Sequence, residues 1–232
     1  MILIMYSKKR STGNSLGVTK FDIPQGAQMV HDEEKITNMI PAIIGTRPNN
    51  SIALHKSGIR LLGVDDSPFR RGQQKSFIVG VIMRLDGYIE KVMKAQITID
   101  GNDVTERISN MALKFKDIVR VIVLSGISFG GFNICDIELL FKLTGIPVIS
   151  LFEKGGSASE MINAINKHLG DQEKIGILKR LKPIALNNNG YTIMANLAGI
   201  ESESASRIIR MNTVRGKMPE AVRVPDLIAK IL

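Results

Sequence analysis

The chain has 232 residues and a formal net charge of +9, from 31 Lys and Arg against 22 Asp and Glu. Apolar residues make up 44% and charged residues 23%, a balance that excludes a disordered chain and allows a sizeable core. No apolar run approaches the roughly 18 residues of a membrane span, and one cysteine, Cys135, with three scattered histidines (His31, His55, His168) excludes an internal disulfide and a Cys/His zinc site.

The apolar residues 1–6 are too short for a signal-peptide core, and their basic neighbours follow instead of preceding them, so a cytoplasmic protein is expected. Charge is unevenly placed. Residues 1–58 carry net +3, residues 59–173 balance, and residues 174–232 carry net +6. Basic ends attract polyanions such as nucleic acid, but net charge carries no specificity, and a solvated surface explains it as well.

Residues 1–57 hold the breaker-rich stretches 7–15 and 47–51, with one short helix expected over 32–44, and read as an arm or appended segment. From residue 58 onward the pattern is that of a folded domain. Residues 59–64 form a short apolar run closed by Asp65-Asp66-Ser67-Pro68, which predicts a strand ending in a turn. Residues 76–83 predict a second strand. Leu85-Asp86-Gly87 predicts a tight turn into a third, residues 88–99. The three fit an antiparallel meander.

The period then changes. Val104, Ile108, Met111, Ala112 and Phe115 recur at helical spacing. Residues 119–124 are β-branched and nearly all apolar, as expected of a strand buried on both faces. A helix over 134–143, a strand over 147–152 and a helix over 157–169 follow. Right-handed crossovers make the later strands parallel. A basic tail adds a strand at 191–197, a helix at 201–211 and a last helix expected to start near Pro225. Three antiparallel strands followed by αβαβα is the order of a ribonuclease H-like mixed α/β sheet.

Three segments carry candidate chemistry. Asp65 and Asp66 sit at a strand end and point to opposite faces. Asp65 is favoured as the inward carboxylate, which suits a hard cation such as Mg²⁺. Taken alone, Asp-Ser-Pro is also good turn chemistry. The link Asp100-Gly101-Asn102-Asp103-Val104-Thr105-Glu106 joins strand to helix. Asp103 with Glu106 has the spacing of a capping box, which explains the pattern by itself, and the same acids, near a strand end, could supply a second metal ligand. Ser125-Gly126-Ile127-Ser128-Phe129-Gly130-Gly131-Phe132-Asn133 follows the buried strand. It is either a glycine turn whose phenylalanines join the core, or a pocket wall with an aromatic for base stacking and a helix N-terminus for phosphate. Arg207, Arg210, Arg215, Lys217 and Arg223 form a loose basic set suited to positioning phosphates.

The segments 63–69, 97–106 and 125–133, with the tail 213–223, resemble an archaeal family associated with deoxyuridine endonuclease activity and related to endonuclease V. The resemblance covers roughly 59–231. It implies a ribonuclease H-like fold and Mg²⁺- or Mn²⁺-dependent cleavage of DNA, single-stranded or damaged, beside deoxyuridine or another deaminated base, as in DNA repair. It implies Asp65 as the first metal ligand and Glu106 as the second, with Asp100 or Asp103 as rivals. The third position departs from the pattern. Where the family reads Leu-Asp-Gly, this chain reads Leu124-Ser125-Gly126. A serine hydroxyl is neutral and a poor metal ligand. Gly126, Ser128, Phe129, Gly130, Gly131, Asn133, Arg215, Lys217 and Arg223 are the expected nucleic-acid contacts. Two rival readings remain: a nucleic-acid-binding homologue impaired in catalysis by Ser125, and an α/β enzyme that binds a small phosphate metabolite at the glycine loop.

Overall fold

The computed structural model describes residues 58–153 and 158–232. The expected arm, residues 1–57, lies outside the described residues. Strands β1 (Arg60–Asp66), β2 (Lys75–Arg84) and β3 (Ile89–Thr98) form the antiparallel meander. Its second turn closes as expected, with Gly87 at φ +88° and its N–H donating to the Arg84 carbonyl at 2.9 Å. Helix α1 (Val104–Leu113) leads to β4 (Val119–Ser125), which lies parallel to β1. A small antiparallel pair follows, β5 (Ser128–Phe129) and β6 (Asn133–Ile134). Helix α2 (Ile137–Thr144) then leads to β7 (Val148–Phe152), parallel to β4.

Helices α3 (Ala158–His168) and α4 (Gln172–Arg180) are followed by the hairpin β8 (Ile184–Asn188) and β9 (Tyr191–Ala198). Helices α5 (Ser202–Met211) and α6 (Glu220–Ala229) end the chain. The seven strands of the main sheet run in the order β3-β2-β1-β4-β7-β9-β8.

Alternation along the strands sorts the core into two layers. Leu61, Val79, Val81, Val121, Val123, Ile149 and Leu151 face α5 and α6. Leu62, Val64, Ile78, Ile82, Ile122, Leu124 and Val148 face α1 and α2. This explains why residues 121–124 are apolar without alternation: β4 is central and covered on both sides. Among the described residues, no helix is long and apolar enough to cross a membrane.

Several elements differ from expectation. Helix α2 starts at Ile137, not residue 134, because Asp136 caps it by accepting from the Glu138 and Leu139 N–H groups, and residues 133–134 pair with β5. The last helix starts at Glu220, with Pro225 inside it. Pro225 has no N–H to donate to the Ala221 carbonyl four residues back. Helix α4 and strand β8 are additions to the expected elements. Asp171 caps α4 through the Glu173 and Lys174 N–H groups. The β8–β9 hairpin turns on Asn189 (φ +52°) and Gly190 (φ +85°), both left-handed. Asn-Gly is the sequence signal for such a two-residue turn.

Candidate active site

The carboxyl end of β1 decides the geometry. Asp65 continues the row of Leu61 and Gly63, so it faces α5 and α6, whereas Asp66 continues the row of Leu62 and Val64 and faces α1. Asp65 is only 8% exposed. Its Oδ1 accepts from the Asp66 N–H at 2.9 Å. Burial pushes its pKa from 3.8 up to about 7. The Asp66 N–H and the Ser125 hydroxyl pull it back, and the charges of Asp66 and Asp226 push it further up. This is a carboxyl held in a negative field among oxygen donors.

Ser125 therefore has a defined place. It ends β4, the parallel neighbour of β1, and its hydroxyl lies near enough to Asp65 to lower its pKa. An aspartate there would set a second carboxylate against Asp65. An acid whose charge reaches Asp65 is Asp226 of α6, whose Oδ2 accepts from Lys230 at 2.7 Å. Sequence reading missed Asp226, which lies far along the chain in a segment without a motif.

Its approach depends on Gly63. A Cβ on Gly63 would collide with the Ala221 carbonyl, so glycine lets α6 lie directly on β1. Asn212 secures the start of α6. Its Oδ1 accepts from the Ala221 N–H at 2.8 Å and its Nδ2 donates to the Leu85 carbonyl at 3.2 Å.

Glu106, the expected second ligand, stands in the first turn of α1. Its helix α1 packs on the opposite face of the sheet. Glu106 is exposed there and lines a shallow cleft with Asp136, Glu173 and Lys174. Its Oε1 meets Asn110 Nδ2 at 3.5 Å. Asp65 points to the face covered by α6, and α1 covers the other.

Asp103 and Asp100 also serve the backbone. Asp103 makes no side-chain cap. Its Oδ1 accepts from the Thr98 N–H at 3.1 Å and from Asn133 Nδ2 at 2.7 Å. Burial opposes its charge, but these donors outweigh burial and hold its pKa below the ordinary value. Asn133 takes over the cap, accepting from the Val104 N–H at 3.1 Å. Asp100 adopts φ +54°, and its Oδ1 accepts from the Phe132 N–H at 2.7 Å. Asp66 Oδ2 accepts from the Gly130 N–H at 2.7 Å. Burial raises the Asp66 pKa as well, with the Gly130 N–H opposing it.

The glycine loop is consequently not an anion cradle. The Gly130 and Phe132 amides serve Asp66 and Asp100, and the Gly126 amide donates to the Leu151 carbonyl at 2.7 Å. The Ser128 hydroxyl donates to the Gly131 carbonyl. A Cβ on Gly131, at φ +82°, would overlap Asp100 Oδ1, so the turn requires glycine. Two expected nucleic-acid contacts are corrected. Phe129 is fully buried beside Ile97 and Ile108 and cannot stack on a base. Asn133 is fully buried and spends its amide on Asp103, Thr98 and Val104. In the basic tail, Lys217 pairs with Glu153 at 3.3 Å and Arg223 with Glu220, while Arg215 is exposed.

Among the described residues, no three His, Cys, Asp or Glu side chains gather closely enough to cage a metal. Mg²⁺ does not require a cage. It binds through one or two carboxylates and completes its shell with water and substrate phosphate. Asp65, buried and within electrostatic reach of Asp226, fits that mode.

A UPF0215 protein of Methanosarcina barkeri is 38% identical over 177 residues, covering 75% of this chain and 90% of its own length. The crystal structure of a protein of unknown function from Archaeoglobus fulgidus matches at TM-score 0.66 and 29% identity, covering 74% of this chain and 96% of that one. Human endonuclease V matches at TM-score 0.51 and 14% identity, covering 84% and 94%, and shares the fold. The domain that carries Asp65, Ser125 and Asp226 is the part matched, over residues 57–232, by the family described as endonuclease dU, and the chain belongs to that family.

Proposed function

We propose that this protein is a divalent-metal-dependent endonuclease that cleaves DNA beside deoxyuridine or another deaminated base. The observation that carries this reading is Asp65. It is a buried carboxyl at the carboxyl end of a central strand, raised to about 7 by burial and within electrostatic reach of a second acid. A perturbed carboxyl at such a rim suits hard-cation chemistry. Family membership and the shared endonuclease V fold support a nuclease acting on DNA.

In this reading Asp65 and Asp226 hold Mg²⁺ or Mn²⁺. Bound there, the ion supplies a water of lowered pKa and neutralises charge at the scissile phosphate. Ser125 orients Asp65 through its hydroxyl. Asp66 and Asp100 fix the 126–133 turn, which borders the site as a rigid wall. The test is nicking of uracil-containing DNA with and without Mg²⁺. Metal-dependent nicking that Asp65→Asn abolishes is expected, and nicking by neither protein rejects the proposal.

Ser125 favours a second reading, a DNA-binding homologue with impaired catalysis. Restoring an acid by Ser125→Asp separates the two. A gain of nicking marks a weakened enzyme. DNA binding that persists in EDTA, without nicking by either protein, marks a binding protein.

A further inference from the structure

The loop from Ser67 to Gln74 follows Asp66 directly and bears a feature that the metal chemistry does not use. Its stem is pinned. The Ser67 N–H donates to the Phe77 carbonyl at 2.8 Å, and the Ser76 hydroxyl donates to the Ser67 carbonyl at 3.0 Å. Its tip is closed as well. The Arg70 N–H donates to Gln73 Oε1 at 2.6 Å, and the Gln73 N–H donates to the Arg70 carbonyl at 3.1 Å. Pro68 stiffens the stretch between them.

This braced loop leaves Phe69 41% exposed. The ring tip lies against Gly131, where its Cζ is 3.6 Å from the place a Cβ would occupy. Arg70 and Arg71 follow, both exposed and without a side-chain partner among the described residues. An apolar ring costs free energy in water, and here the backbone is organised to keep it there. Two unpaired cations four and five residues after Asp66 offset the negative charge of the strand end, which would otherwise repel a polyanion.

We infer that Phe69 is a stacking platform for a nucleobase drawn out of its helix, with Arg70 and Arg71 holding the phosphates on either side of that base. This rests on the nuclease reading above and adds the substrate form: an unstacked or single-stranded segment at the site. It also supplies the exposed aromatic that buried Phe129 does not. Stacking on an aromatic tolerates any base, so this contact provides grip and not lesion choice.

The chain contains no tryptophan, so Phe69→Trp installs a single indole at the proposed contact. The full chain in EDTA is titrated with an unlabelled single-stranded 20-mer carrying one deoxyuridine. Binding is followed in parallel by anisotropy of a labelled copy. Quenching of the indole that saturates with the anisotropy signal is expected. Phe69→Ala is expected to weaken binding about five- to hundredfold. Arg70→Ala and Arg71→Ala should each lower the slope of log affinity against log salt by roughly 0.7. Undiminished binding by Phe69→Ala, with an indole that stays silent at saturation, overturns the inference and leaves the nuclease reading intact. No binding by the unaltered protein removes both.

Discussion

Replacing Asp65 by asparagine should raise the stability of this protein at alkaline pH. The folded carboxyl keeps its proton up to about pH 7, whereas the unfolded one loses it from 3.8. Between those values the folded state binds more protons, so stability falls as pH rises. The contribution is complete below pH 3.8 and lost above about pH 7. At about 1.4 kcal/mol for each pH unit, the interval amounts to roughly 4 kcal/mol. The substituted amide would be neutral throughout, with an oxygen still able to accept from the Asp66 N–H.

The assay is urea unfolding of both proteins in EDTA at pH 4, 6 and 8. The two should nearly coincide at pH 4. At pH 8 the variant should be more stable by up to about 4 kcal/mol, or on the order of 10 °C in Tm for a domain of this size. Under the proposed metal binding, Mg²⁺ should take the place of the proton in the unaltered protein. At a hundredfold excess over its Kd it should restore about 2.7 kcal/mol at pH 8, and the variant should show no such gain. Parallel stability curves across this range, or a variant less stable at pH 8, would refute the assignment of Asp65 as a buried, uncompensated carboxyl.

Ser125→Asp exchanges a hydroxyl donor for a like charge beside Asp65, so without metal it should lower stability at pH 8 by about 1–3 kcal/mol, and Mn²⁺ should reverse the loss in thermal melts. Gly63→Ala sets a methyl group against the Ala221 carbonyl, and the resulting overlap should cost about 1–3 kcal/mol in urea unfolding and weaken metal binding by shifting Asp226. Asn133→Ala removes the cap of α1 and the Asp103 bridge together, and should cost roughly 2–4 kcal/mol, read by hydrogen exchange at the Val104 amide.

Much of this molecule is readable along the chain because the signals are local. The meander, the doubly buried β4 and the helices after it follow from period and run length. Asp136 and Asn189-Gly190 carry local chemistry for the α2 boundary and the β8–β9 hairpin, although α2 is expected from residue 134 and β8 is not expected. Asp65 at a strand end is likewise visible. The company it keeps is not. Glu106 lies much closer to it in sequence than Asp226 does, yet α1 covers one face of the sheet and α6 the other. That choice rests on Gly63 yielding its side-chain space to a carbonyl of a helix at the far end of the chain. The same holds for the two phenylalanines. Sequence shows Phe69 and Phe129 as equal aromatics beside turns, and only the packing buries one beneath α1 and leaves the other in water at the rim. Local pattern determines which elements form and which groups are reactive. Which groups meet is set by long-range packing, because contacts between distant segments depend on shape complementarity that no short window of residues contains.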